Sequence, residues 1–166
     1  MINCFFVSDL HGHIDRFEKL FRQIKSEKPD VLFIGGDVLP GGHYYRNRAG
    51  IEYDDFLNYY IFPHLRNLQK DMPYKSAHDR AALDGKMVAH APLDVHVGSI
   101  AIKEFIEKKQ PFITLHGHIH ESSRITGLWH EMIGRTYTFS AAYDEKDLAL
   151  VIFDLEEPSR AKRLIL

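Results

Sequence analysis

The chain has 166 residues, 45% of them hydrophobic and 27% charged, and a formal net charge of −2. This is the profile of one ordinary globular domain with enough apolar content for a core. It excludes a broadly basic nucleic-acid-binding surface and, with no apolar run of spanning length, a transmembrane protein. The single cysteine, Cys4, can form no internal disulfide and reads as a small buried hydrophobe in a reducing compartment. No basic stretch precedes a long apolar one, so the expected location is cytoplasmic. Eleven histidines are unusual for this length, and three of them fall within five residues, His116, His118 and His120.

In chain order, Cys4-Phe5-Phe6-Val7 is a short apolar run of the kind buried on both faces of a sheet. It ends abruptly in Ser8-Asp9-Leu10-His11-Gly12-His13. Ile14, Phe17, Leu20, Phe21 and Ile24 then repeat at helical spacing, with Pro29 as the stop. Val31 to Ile34 is a second buried strand and delivers Gly35-Gly36-Asp37. Strand, helix and strand over this length form a βαβ unit with parallel strands. The Asp9 and Asp37 loops must therefore leave the same end of the sheet, where ligands of such sheets gather.

Val38 to Gly50 reads as a loop carrying Arg46 and Arg48, which as phosphate clamps would be substrate-binding residues. Glu52 to Lys70 has helical character, with a kink or a new start at Pro63. Asp71 to Val97 shows no clean period. Ser99 caps a helix whose inner face is Ile102, Phe105 and Ile106, ended by Pro111. Phe112 to Leu115 is a third buried strand and delivers the histidine cluster. Thr136 to Ala142 and Leu148 to Leu155 form a hairpin around residues 144–147, and Ser159 to Leu166 adds an edge strand.

Asp9, His11, Asp37, His118 and His120 thus come from three loops at one end of a parallel sheet. Carboxylate and imidazole together suit Mn²⁺ first, then Fe, Zn or Ni, rather than Ca²⁺ or Mg²⁺ alone. In an extended strand His118 and His120 would point the same way; in a turn they need not, and could serve two different ions. Two ions about 3.5–4 Å apart would activate a water and stabilise both the attacking and leaving oxygens of phosphoryl transfer. His116 reads as a packed strand tip or as a residue that orients the cluster. The remaining histidines read as structural or exposed, His13 and His96 being the nearest to exceptions.

Ser8-Asp9-Leu10-His11-Gly12, Gly36-Asp37 and Gly117-His118-Ile119-His120 resemble the first, second and last signatures of the calcineurin-like metallophosphoesterases. The resemblance implies an α/β fold, a β-sandwich flanked by helices, with a binuclear metal site at the carboxyl ends of the strands. It implies that Asp9, His11 and His120 hold one metal and His118 the other, with Asp37 between them. The implied function is hydrolysis of a phosphomonoester or phosphodiester, on a small phosphorylated substrate, with a metal-bridging hydroxide rather than a side chain as the nucleophile.

The sequence also departs from that pattern. The family places a Gly-Asn-His or Gly-Asn-Asp motif between the second and last signatures, and its Asn binds the second metal. No Gly-Asn dipeptide occurs here. The family's further strand-borne His has no clear counterpart either, because neither His78 nor His90 follows an apolar strand. These gaps predict a single domain over residues 1–166 with a segment missing near residues 71–74, or else a crippled second site. The competing reading is a non-catalytic metal-binding relative that serves as a nucleotide- or partner-binding module.

Overall fold

The computed structural model describes residues 1–40, 56–71, 75–78, 99–143 and 145–166. Two β-sheets pack face to face, with helices on the outer side of the larger one. The larger sheet has five strands in the order β3-β2-β1-β7-β8. They are β1 (Asn3–Val7), β2 (Val31–Ile34), β3 (Lys75–His78), β7 (Ala149–Asp154) and β8 (Lys162–Ile165). The smaller sheet runs β4-β6-β5, from β4 (Ile113–His116), β5 (His130–Ile133) and β6 (Thr136–Ser140). The α-helices are α1 (Ile14–Glu27), α2 (Phe62–Asp71), α3 (Ile100–Lys109) and α4 (His120–Thr126).

Alternation along β1 shows how the layers are made. Phe5 and Val7 face the helices, in a core with Leu32, Ile34, Leu150 and the apolar stripe of α1, Phe17, Leu20, Phe21 and Ile24. Cys4 and Phe6 face the other way, against Val151 and Phe153 of their own sheet and Phe139 and Ala141 of the smaller one. A strand buried on both faces needs apolar residues at every position, hence the uninterrupted run at residues 4–7. Burial pushes the Cys4 thiol up to about 11, in keeping with an inert core residue.

The predicted βαβ unit is present. β1 and β2 pair in parallel, with Val7 opposite Ile34. α1 ends where Lys28 adopts a left-handed φ of 47° and its N–H bonds the carbonyl of Ile24. The helical stretch after Glu52 is described from Phe56, as a π-helical run Phe56–Ile61 that passes directly into α2, with Pro63 at the change of winding. β8 is the expected edge strand. The break at residues 71–74 falls at the α2–β3 connection, whose residues 72–74 lie outside the described ones.

Three expectations are corrected. β6 and β7 are not a hairpin: β6 lies between β4 and β5 in one sheet, and β7 between β1 and β8 in the other. The turn near 144–147 is a crossing between sheets, and β6 makes its hairpin with β5 around Gly134 and Arg135 instead. Their apolar residues meet across the sandwich, Phe139 against Phe153 at 5.3 Å between ring centroids, so two facing strands mimic the pattern of two paired ones. On α3, Ser99 does cap the helix, accepting from the Ile102 N–H at 3.4 Å. Its inner face is only Ile106, however, while Ile102 and Phe105 are exposed. β4 is half-buried along its length rather than fully buried.

Candidate metal centre

The first two ligand loops are held by a ladder that continues past the strand ends. Beyond the β1–β2 pairing, the Gly35 N–H donates to the Val7 carbonyl at 2.8 Å and the Asp9 N–H to that of Gly36 at 3.1 Å. The His11 and Gly12 N–H groups donate to the carbonyls of Asp37 and Val38 at 2.6 and 2.9 Å. Gly12 has a φ of +68°, and a Cβ there would strike Pro40. The two loops therefore form one rigid edge from which Asp9, His11 and Asp37 project.

The third loop comes from the smaller sheet, not from the same parallel sheet as expected. β4 pairs in parallel with β6, and the Ala141 N–H donates to the carbonyl of its last residue, His116, at 3.1 Å. Gly117 then passes so close to the first loop that a Cβ would lie 2.7 Å from Ser8 Cβ. His118 is in a left-handed turn, with φ of 72°, and His120 is the first residue of α4. The two histidines consequently do not share a direction, as an extended strand would require.

Backbone strain singles out the same residues. Among the described residues, six that are not glycine have a left-handed φ: Asp9, His11, Lys28, Asp37, Gln110 and His118. Lys28 and Gln110 are helix C-caps, a common use of that conformation. The other four are expected ligands. Such a conformation is held against its local cost by the surrounding structure and gathers at functional sites.

All five expected ligands meet. Atoms of Asp9, His11 and His120 lie within 4.8 Å of one another, as do those of Asp9, Asp37 and His118. Asp9 is the member common to both groups, the place the resemblance gives to Asp37. The Asp37 carboxylate is instead turned toward His118, Oδ2 to Nδ1 at 2.8 Å. The Asp9 side chain is fully buried, accepts from Ser8 Oγ at 2.6 Å, and takes the His118 N–H at 3.1 and 3.2 Å. Burial raises its pKa, with the Ser8 and His118 hydrogen bonds opposing. Burial likewise lowers the pKa of His11, whose Nε2 lies 4.0 Å from Asp9 Oδ1. A neutral His11 imidazole is the form that binds a divalent cation, and such a cation would in turn stabilise the buried Asp9 carboxylate in its ionised form. The donor set fits an ion of the Mn, Fe or Zn type.

His116, the half-buried end of β4, has its Nε2 2.9 Å from Thr114 Oγ1, and burial lowers its pKa. Arg46 and Arg48, like His90, lie outside the described residues. His78 was underrated by the sequence. It ends β3, in parallel register opposite Ile34, so its backbone stands at the same end of the sheet as the Asp9 and Asp37 loops. A short, mostly polar strand ending in His was the available signal, and the small apolar content of Lys75-Ser76-Ala77 hid it.

Residues 2–75 match the family model of the calcineurin-like phosphoesterases. Among solved structures, the chain is similar to a novel archaeal phosphodiesterase, with 16% identity, a TM-score of 0.56 and 99% of each chain covered. It is similar to a protein of Thermus thermophilus with 13% identity, a TM-score of 0.56 and 98% of each chain covered. At such identities the likeness is one of fold. No curated protein matches the chain. The family match thus spans the first two ligand loops, and the fold is shared with those solved structures along nearly the whole chain.

Proposed function

We propose that this protein hydrolyses a phosphomonoester or phosphodiester of a small phosphorylated substrate at a binuclear centre. In this reading Asp9, His11 and His120 hold one divalent ion, and His118 and Asp37 the other, with Mn²⁺ the preferred metal. The observation that carries it is that four strained, non-glycine left-handed residues converge in two overlapping ligand groups around one buried carboxylate. Bound there, the metals would supply Lewis acidity and a water deprotonated near neutral pH to attack phosphorus. The chain's own part is to keep the His11 imidazole toward its neutral form and to fix the spacing between the groups through Asp9, whose buried carboxylate a bound cation would stabilise in its ionised form. Asp37 and His118 form the solvent-facing side, where the His118 side chain is 74% exposed, open to a phosphate group. Arg46 and Arg48 remain the proposed phosphate clamps.

The test is turnover of bis(p-nitrophenyl) phosphate and p-nitrophenyl phosphate with added Mn²⁺. Turnover should appear with at least one of them and vanish in Asp37→Ala and His118→Ala. No turnover with any divalent metal, in protein shown to bind metal, would sink the enzymatic reading and leave a metal-binding module. In Arg46→Ala and Arg48→Ala, KM should rise; an unchanged KM in both would remove them from the site.

A further inference from the structure

We propose that Arg16 is a positioning residue for the metal centre, its buried guanidinium tying the main chain of the Asp9 loop to the crossing that supports His120. This deepens the reading given above and rests on it, since it assumes that Asp9 and His120 are ligands.

Arg16 is the third residue of α1 and is almost fully buried among residues that are otherwise apolar. Burying a guanidinium is costly unless its N–H groups find acceptors. Nη1 donates to the main-chain carbonyl of Asp9, and Nη2 to that of Glu145. Asp9 is in the left-handed conformation, with φ of 56°, so its peptide needs support from outside. Its N–H is held by Gly36 and its carboxylate by Ser8 and His118. Arg16 holds its carbonyl. The rotation of that peptide sets the aim of the carboxylate.

The second arm of the fork reaches the other ligand. Glu145 lies on the crossing between β6 and β7, and its carboxylate accepts from the hydroxyl of Tyr143, the neighbour of Ala142, at 3.0 Å. The Ala142 carbonyl accepts from Ser123 Oγ at 3.1 Å, and that hydroxyl also lies 3.2 Å from the His120 carbonyl. Arg163 Nη2 donates to the same Ala142 carbonyl at 2.8 Å from β8. Asp9, Arg16, Glu145, Ala142, Ser123 and His120 thus form one connected support under two ligands from different sheets. Lysine could reach one carbonyl but could not bridge two with a planar fork.

The experiment is calorimetric titration with Mn²⁺, together with thermal unfolding of the metal-free protein, on wild type, Arg16→Lys, Arg16→Gln, Arg163→Lys and Asp9→Ala. Arg16→Gln should weaken Mn²⁺ binding about 10–100-fold, the usual effect of removing a group that orients a ligand. Arg16→Lys should recover part of that loss. Arg163→Lys reaches only the His120 arm of the support, without touching Asp9, and should lower the melting temperature while weakening Mn²⁺ binding less than Arg16→Gln does. Wild-type affinity in Arg16→Lys and in folded Arg16→Gln overturns the proposal, and so does an equal loss in Arg163→Lys, which would mean general loosening. If Arg16→Gln does not fold, Arg16→Lys against Arg163→Lys decides it. Unchanged affinity in Asp9→Ala would instead overturn the site itself, whatever the Arg16 variants do.

Discussion

The two halves of the candidate centre share Asp9 and differ in how they are held. The half made by Asp9, His11 and His120 is the more buried, with burial shifting the pKa of Asp9 and His11 and with His120 opening α4. The half made by Asp9, Asp37 and His118 opens outward, with His118 largely exposed. A buried, pre-oriented ligand set loses little freedom when an ion arrives, whereas exposed side chains must be ordered by it. In the proposed centre the inner half would retain an ion, and the outer half would exchange one and meet substrate.

Breaking the shared member should have the largest effect. Asp9→Ala is expected to abolish Mn²⁺ binding at both halves, with loss of all turnover, as measured by titration and by hydrolysis of the aryl phosphates. Retention of one site would show that Asp9 is not shared.

Single-half variants should separate the two. His120→Ala is expected to remove the tighter binding event, and His118→Ala the weaker one, leaving one ion per chain in each case. Loss of the tighter event in His118→Ala would reverse the assignment.

A smaller effect is expected from closing the gap between the loops. In Gly117→Ala the new methyl would press on Ser8, a destabilisation of about 1–3 kcal/mol by denaturant titration. Ser8→Gly in the same chain should relieve part of it. An unaltered midpoint in Gly117→Ala would mean that the smaller sheet gives way without cost.

The least effect, but the most diagnostic sign, lies in pH. The lowered pKa of His11 means that the unfolded chain takes up its proton first, so stability falls as the pH drops from about 6.5 through the folded value. The raised pKa of Asp9 works in the opposite sense. Its share of metal-free stability is complete below about 3.8 and is lost as the pH rises through the folded value, because the buried carboxylate then ionises unpaired by a metal. A divalent ion should therefore raise the melting temperature little in acid and increasingly toward neutral pH. A metal-induced gain independent of pH would dissociate the ion from these two residues.

Strongly periodic or doubly buried stretches were legible without any coordinates. Residues 4–7, the stripe from Ile14 to Ile24 and the run Val31 to Ile34 each fit only one kind of element, and together they dictate parallel pairing and a common end for Asp9 and Asp37. Short strands of mixed character were not. β3 is nearly polar and β5 alternates weakly, so neither carried a period that stood out.

By itself, then, the sequence determined the first sheet's nucleus, the residue types of the site and the three loops that carry them, because local chain geometry and burial pattern act within a few residues. Only the tertiary structure decided that the third loop belongs to a second sheet, that β6 and β7 face one another instead of pairing, and that His118 and His120 part toward different groups. It also decided that Asp9, rather than Asp37, stands where those groups overlap. Each of these depends on contacts between residues far apart in the chain, such as the His118 N–H on the Asp9 carboxylate and Phe139 on Phe153, and no local pattern encodes which distant partner a surface will meet.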